Sequence, residues 1–150
     1  MSQMNAYLTI MGIETLALRM EKHVANAEVV ANYLHNHAKV SWVSYAGLEE
    51  SNYFHLAKKY LPKGAGSVFT FGIKGGYGAG VEFVEKCQLL SHLANIGDTR
   101  SLVLHPASTT HRQLTETQRI SAGAGDDVIR LSIGLETVED IIADLEQALR

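Results

Sequence analysis

Five short runs of strand-forming residues lie among amphipathic stretches without strict alternation, and that order limits the fold more than any single motif. The clearest is Ser67–Ile73, S-V-F-T-F-G-I, with apolar side chains on both faces at its centre. Val40–Tyr45, Ala94–Ile96, Ser101–His105 and Val128–Ile133 read as further strands. Residues 5–36 read as one long helix interrupted near Gly12, because Leu16, Met20, Val24, Ala27 and Val30 or Ala31 recur at three- and four-residue steps. Ser51 would cap a helix over Asn52–Tyr60, and the glycine run Gly75–Gly80 would turn the chain into another over Val81–Ser91. A short helix is expected near Glu116–Ser121. Thr137 and Asp140 form a near capping box that opens a last helix, Val138–Leu149. Short connections join many of the strands. The expected fold class is therefore α+β, a mostly antiparallel sheet with helices on one face.

Composition narrows the class further. At 150 residues the chain is one domain's worth of material, and 46% hydrophobic with 19% charged residues marks a globular chain. The net charge of −3 with 13 scattered basic residues argues against a nucleic-acid surface, which needs a basic stripe. No apolar run approaches the roughly 20 residues of a membrane span. The opening M-S-Q-M-N-A-Y-L-T-I-M-G lacks the basic and apolar regions of a secretory signal, and the lone Cys87 excludes an internal disulfide. A cytoplasmic location is expected.

Most chemical motifs fail on spacing. Gly76-x-Gly78-x-Gly80 lies between a strand and a helix, but its third glycine comes one residue early for a dinucleotide fingerprint, and Val81 stands in its place. The seven histidines include no H-E-x-x-H or other disciplined ligand spacing, so no metal site is expected. Cys87 has no histidine on its own helix face, and no G-x-S-x-G elbow is present. Two places remain. Arg130 sits inside the apolar strand V-I-R-L-S-I, where a guanidinium needs either an internal carboxylate or a ligand. The stretch Asn95–His111 crowds hydroxyls and imidazoles after a strand and would either bond to itself or line an open site.

The blocks H-L-A-N-I-G-D-T-R-S-L-V-L-H-P-A-S-T-T-H-R-Q-L and D-V-I-R-L-S-I-G-L-E resemble the small C-terminal domain of the Cys/Met-metabolism family of pyridoxal-phosphate enzymes. So do G-I-E-T-L-A-L-R-M-E-K-H-V and Y-L-P-K-G-A-G-S-V-F-T-F-G-I-K-G-G, and the resemblance runs from about Asn5 to Arg150. Within the family it is nearest to the branch that acts on O-acetylhomoserine with sulfide or a thiol, with the cystathionine γ-synthase and methionine γ-lyase branches as alternatives. A stand-alone amino-acid-binding or oligomerisation domain is the other alternative. The resemblance implies a fold-type-I enzyme more than twice this length, of which residues 1–150 are the single C-terminal domain. It implies a pyridoxal 5'-phosphate cofactor held by a large domain outside this chain. None of Lys22, Lys39, Lys58, Lys59, Lys63, Lys74 and Lys86 lies in a block like the family's cofactor-lysine motif, so the chain alone would be inactive. It further implies γ-replacement giving homocysteine, and a homo-oligomer, commonly a tetramer. Residue by residue, Arg130 matches the arginine that grips the substrate α-carboxylate, Asn95 a position that also meets that carboxylate, and Thr110 a threonine on the substrate side. Ser101 and His111 are implied only as neighbours of the pocket.

Overall fold

Alternation along the central strands sets which side chains each sheet face presents, and the face with the larger apolar side chains is the one the helices cover. The computed structural model describes residues 1–150. Its helices are α1 (Gln3–Glu14), α2 (Leu16–His35), α3 (Phe54–Tyr60), α4 (Gly76–Lys86), α5 (Glu116–Ser121) and α6 (Val138–Leu149). Its strands are β1 (Val40–Ser44), β2 (Val68–Ile73), β3 (Ser91–His92), β4 (Leu102–Leu104) and β5 (Val128–Ser132). They form one sheet of order β1-β2-β5-β4-β3, antiparallel except for the β3–β4 pair. Register places Val43, Phe71 and Ile129 in one row, and Phe69, Leu131 and Val103 in the next, on the same face. Phe71, Ile129, Leu131 and Val103 are fully buried there under Val30 and Leu34 of α2, Phe83 of α4, and Ile141 and Leu145 of α6. Phe83 meets Phe71 edge-on at 5.7 Å between centroids. The expected α+β architecture, with helices on one face, is the one observed.

The opposite face carries the row Ser44, Thr70, Arg130 and Leu104, crossing four strands. Buried polar groups of α2 anchor the chain as it leaves β5. Nδ1 of the buried His23 donates to the carbonyl of Ile133 at 2.6 Å. The Asn26 amide donates to the carbonyls of Gly134 and Glu136.

Local signals misplace several boundaries. The first helix breaks at Thr15, three residues past Gly12, and the Arg19 guanidinium donates to Gly12 O and Thr15 Oγ1 to close that end. The helix expected from Val81 begins within the glycines at Gly76 and stops at Lys86. Glycine at position 80 answers to packing: a Cβ there would stand 2.7 Å from the His105 ring. The helix stops early because Asp144 of α6 takes the next main-chain N–H groups, of Gln88, Leu89 and Leu90, at 2.8–3.0 Å. Ala94–Ile96 is exposed loop, and the short edge strand is Ser91–His92 instead. Thr137 makes no capping bond, whereas Thr115 and Gln118 form a full capping box at α5. Ser51 leaves the start of its helix to Tyr53.

Cys87 lies against this junction, its thiol pushed up to about 12 by burial and, secondarily, by the Asp144 carboxylate. The thiolate is therefore scarce at pH 8, and Cys87 should react with iodoacetamide far more slowly than a free thiol. Alkylation at the free-thiol rate, followed by mass spectrometry, would contradict this burial.

One element stands outside the packing. No residue of α1 is buried, and Met4, Tyr7, Leu8, Ile10, Met11 and Ile13 are 46–64% exposed. Its apolar residues are spread around the axis, as in a helix that is enclosed on all sides.

Candidate functional site

Arg130 occupies the middle of β5, paired in register with Thr70 on one side and Leu104 on the other. Its side chain therefore rises from the sheet face opposite the helices. No carboxylate lies within ion-pair distance. Its one side-chain hydrogen bond is a long one of 3.4 Å to the main-chain oxygen of Asn95, at the weak edge of hydrogen-bond geometry. Of the two partners the sequence allows for this guanidinium, the internal carboxylate is absent. A half-buried planar fork with free donors is ready for an oxyanion.

Beside it lies an open groove of about 550 Å³, lined by His92, Leu93, Ala94, Leu104, Ser108, Thr109, Thr110 and Arg112. Leu104 joins groove to arginine, since it sits next to Arg130 in the cross-strand row. The lining holds no acidic residue. Arg112 is exposed and unpaired, so the local field is positive. The nearest loop acid, Asp98, is already engaged. The backbone N–H of Arg100 is the main group holding its carboxyl below the usual range, with the Arg100 guanidinium and the Asn95 amide adding. A larger hollow of about 810 Å³ lies between α2 and α3, edged by Glu21, Glu28, Glu49 and Glu50. It contains none of the residues chosen from sequence, and volume alone gives it no chemistry.

A latch sets the loop that carries Asn95. The Glu136 carboxylate accepts from the Ser101 amide at 2.6 Å and the Ser101 hydroxyl at 2.8 Å, while Ser101 Oγ accepts the Gly134 N–H at 2.9 Å. Position 134 admits only glycine, because a Cβ would stand 2.5 Å from the main chain of Arg100 and Ser101. Leu135 N–H closes on Thr99 O at 2.8 Å. The loop over residues 94–100 is thus tied to the end of β5, which brings Asn95 to Arg130.

The structure brings Asn95 to Arg130, and it places Thr110 in the lining of the groove, which also holds Ala94 next to Asn95 and Leu104 next to Arg130. His111 is beside Thr110, its Nδ1 paired with Thr110 Oγ1 at 2.8 Å. Ser101 is fully buried and its hydroxyl is spent on the latch, so it acts on the loop that carries Asn95 and does not itself line the groove. Sequence reasoning misses Thr70 and Arg112, and it covers Thr109 only as part of the stretch Asn95–His111. A basic residue directly after the S-T-T-H run is a signal that could flag Arg112. Thr70 has no local signal, since only strand register puts it beside Arg130.

The residues present do not form a pyridoxal-phosphate site. No lysine lines the groove; Lys74 donates to Ala38 O at 2.7 Å and Lys86 pairs with Glu82 at 2.7 Å. What the arrangement can do is hold an anion in an orienting grip.

Residues 1–150 match the family model described as Cys/Met metabolism PLP-dependent enzyme. The chain is 52% identical over 143 residues to a homocysteine synthase of Schizosaccharomyces pombe, covering 95% of this chain and 33% of that protein. It is 47% identical to O-acetyl-L-homoserine sulfhydrylase 1 of Thermus thermophilus, over 96% of this chain and 34% of the relative. The crystal structure of an O-acetylhomoserine (thiol)-lyase from Campylobacter jejuni, containing a pyridoxyl-lysine monophosphate, superposes with a TM-score of 0.91 at 46% identity. That match covers 97% of this chain and 35% of the crystallised one. The chain thus spans about a third of the length of the relatives it matches.

Proposed function

The chain belongs to the Cys/Met metabolism family of pyridoxal-phosphate-dependent enzymes, and from that premise we propose that it is the substrate-orienting C-terminal domain of an O-acetylhomoserine sulfhydrylase. The reading rests above all on one observation, the unpaired, half-buried Arg130 guanidinium on the sheet face away from the core helices, beside a groove free of carboxylates. The relatives named for O-acetylhomoserine support that substrate. The whole protein would exchange acetate on the γ-carbon for sulfide or a thiol, in the cytoplasm.

In this reading Arg130 takes the α-carboxylate as a bidentate pair. Asn95 and Thr110 contact the same end of the substrate, and the groove excludes water from its flank. Holding the reacting carbon in one place is an entropic contribution to rate. Pyridoxal phosphate supplies the electron sink, and it resides with the remaining two-thirds of the protein, since this chain offers it no lysine.

No helix here is long and apolar enough to cross a membrane. The exposed apolar α1 is accounted for if the rest of the protein, as a larger domain in a homo-oligomer, encloses it. Amides of residues 4–18 should then exchange slowly in the full-length protein. Exchange there at the rate of a solvent-exposed helix would count against this domain arrangement.

The test of the function is direct. Purified full-length protein should show the cofactor's visible absorption and form homocysteine from O-acetylhomoserine and sulfide. A colourless full-length protein without that activity would overturn the assignment and leave Arg130 as a simple anion-binding group.

A further inference from the structure

We propose that Asp126 is a positioning residue that aligns the groove wall for the substrate, by holding both ends of the segment that carries Thr109, Thr110 and Arg112. The proposal rests on the reading above, in which that groove receives the amino-acid substrate. At one end of the segment, His105 is fully buried, and its Nε2 lies 3.0 Å from the carbonyl oxygen of Asp126. A carbonyl only accepts, so Nε2 carries the hydrogen, and in the neutral ring Nδ1 accepts from the Ser108 hydroxyl at 2.9 Å. The His105 carbonyl in turn receives Thr109 Oγ1 at 2.8 Å. At the other end, Arg119 Nη1 donates to the carbonyl of Leu114 at 3.0 Å. Arg119 Nη2 donates to the Asp126 carboxylate at 2.8 Å.

Between these ends the chain has no strand or α-helix to stiffen it. It is a single 3-10 turn, Pro106–Ser108, followed by turns closed by His111 N–H to Pro106 O and Leu114 N–H to His111 O. One residue therefore joins both ends: its main chain holds His105 and its side chain holds Arg119. The Arg119 side chain is 16% exposed, and its buried Nε has no partner. Its place thus depends on the two contacts just named. Loss of the Asp126 carboxylate would free one end of the wall while leaving the His105 anchor in place. The misalignment is felt in substrate binding, because a displacement well under the size of a residue weakens an oriented contact.

The test uses full-length enzyme carrying Asp126→Ala, Arg119→Gln, Arg119→Lys, or Asp126→Ala and Arg119→Gln together. The KM for O-acetylhomoserine should rise about tenfold in Asp126→Ala and in Arg119→Gln, with kcat and the KM for sulfide nearly unchanged. The double variant should be no worse than either single change, since both cut the same tether. Arg119→Lys should recover part of the loss. An unchanged KM, or a loss confined to kcat or to the amount of folded enzyme, would overturn the proposal. Trypsin cleavage after the exposed Arg112, followed by mass spectrometry, reads the tether without any activity. It should accelerate in Asp126→Ala, and an unchanged rate would overturn the proposal. Arg130→Gln separates the two readings. If it leaves KM unaltered while Asp126→Ala still speeds cleavage, the substrate assignment fails and the tether stands. If it raises KM and Asp126→Ala does not, the tether's role fails and the substrate assignment stands.

Discussion

Arg130→Ala in the full-length protein should lower kcat/KM for O-acetylhomoserine by about 10–150-fold, mainly through KM. A charge-assisted hydrogen-bonded pair contributes about 1.5–3 kcal/mol, and about 1.4 kcal/mol is a factor of ten. The larger end of the range is favoured by the surroundings. Arg130 has no carboxylate partner in the free protein to release, so little of the pair's energy is spent on breaking another contact. KM carries the effect because the carboxylate is itself unaltered by the reaction and is gripped equally before and during it. Arg130→Lys should recover little, since an ammonium cannot reproduce the fork at a bidentate site. Steady-state kinetics on the two variants decide it: an unaltered kcat/KM in Arg130→Ala would remove the carboxylate grip from the account.

Asp144→Ala should open the joint between α4 and α6 by about 3 kcal/mol or more. The 6%-exposed carboxylate accepts three consecutive main-chain N–H groups, from Gln88, Leu89 and Leu90, and the Gln147 amide as well. Removing it costs three hydrogen bonds to a charged acceptor, each worth about 1–3 kcal/mol, the lower end applying where water can replace the carboxylate, as at the exposed Gln88 and Leu89. The lower end of each sums to the figure given. Hydrogen exchange in the full-length protein is the direct readout, with the amides of residues 88–90 expected to exchange on the order of 100-fold faster in the variant. Asp144→Asn, which keeps one oxygen acceptor, should lie between the two. Unchanged exchange at those amides would mean that the carboxylate is not what holds the turn.

Both effects arise from residues whose importance differs in how it can be read. Arg130 is conspicuous because a guanidinium in the run V-I-R-L-S-I breaks the local apolar pattern and demands a partner. Asp144 is inconspicuous, one acid among several on an amphipathic helix, and its three main-chain partners lie more than fifty residues away in the chain. His105 and Asp126 are alike in this. Nothing near either in sequence signals that they meet, and the contact depends on Gly80 leaving room for the ring.

The same division runs through the elements. α2, β2, β5, α5 and α6 are legible in the sequence because each is long or regular enough for period and propensity to agree. The start of α4 moves from Val81 to Gly76 because glycine counts against a helix in isolation but allows the close approach of His105 in the folded chain. The Ala94–Ile96 strand gives way to exposed loop because the edge position beside β4 is taken by Ser91–His92, which pair with Leu102 and Val103. By itself, then, the sequence determined the α+β class, the family, and the residue proposed to meet the ligand, all properties written in local pattern. Tertiary structure alone decided which residues share a sheet face with Arg130, that Arg130 has no acid beside it, and that Ser101 serves the latch. Those depend on register and on pairs remote in the chain, where the deciding energy is a contact between residues that carry no local trace of each other.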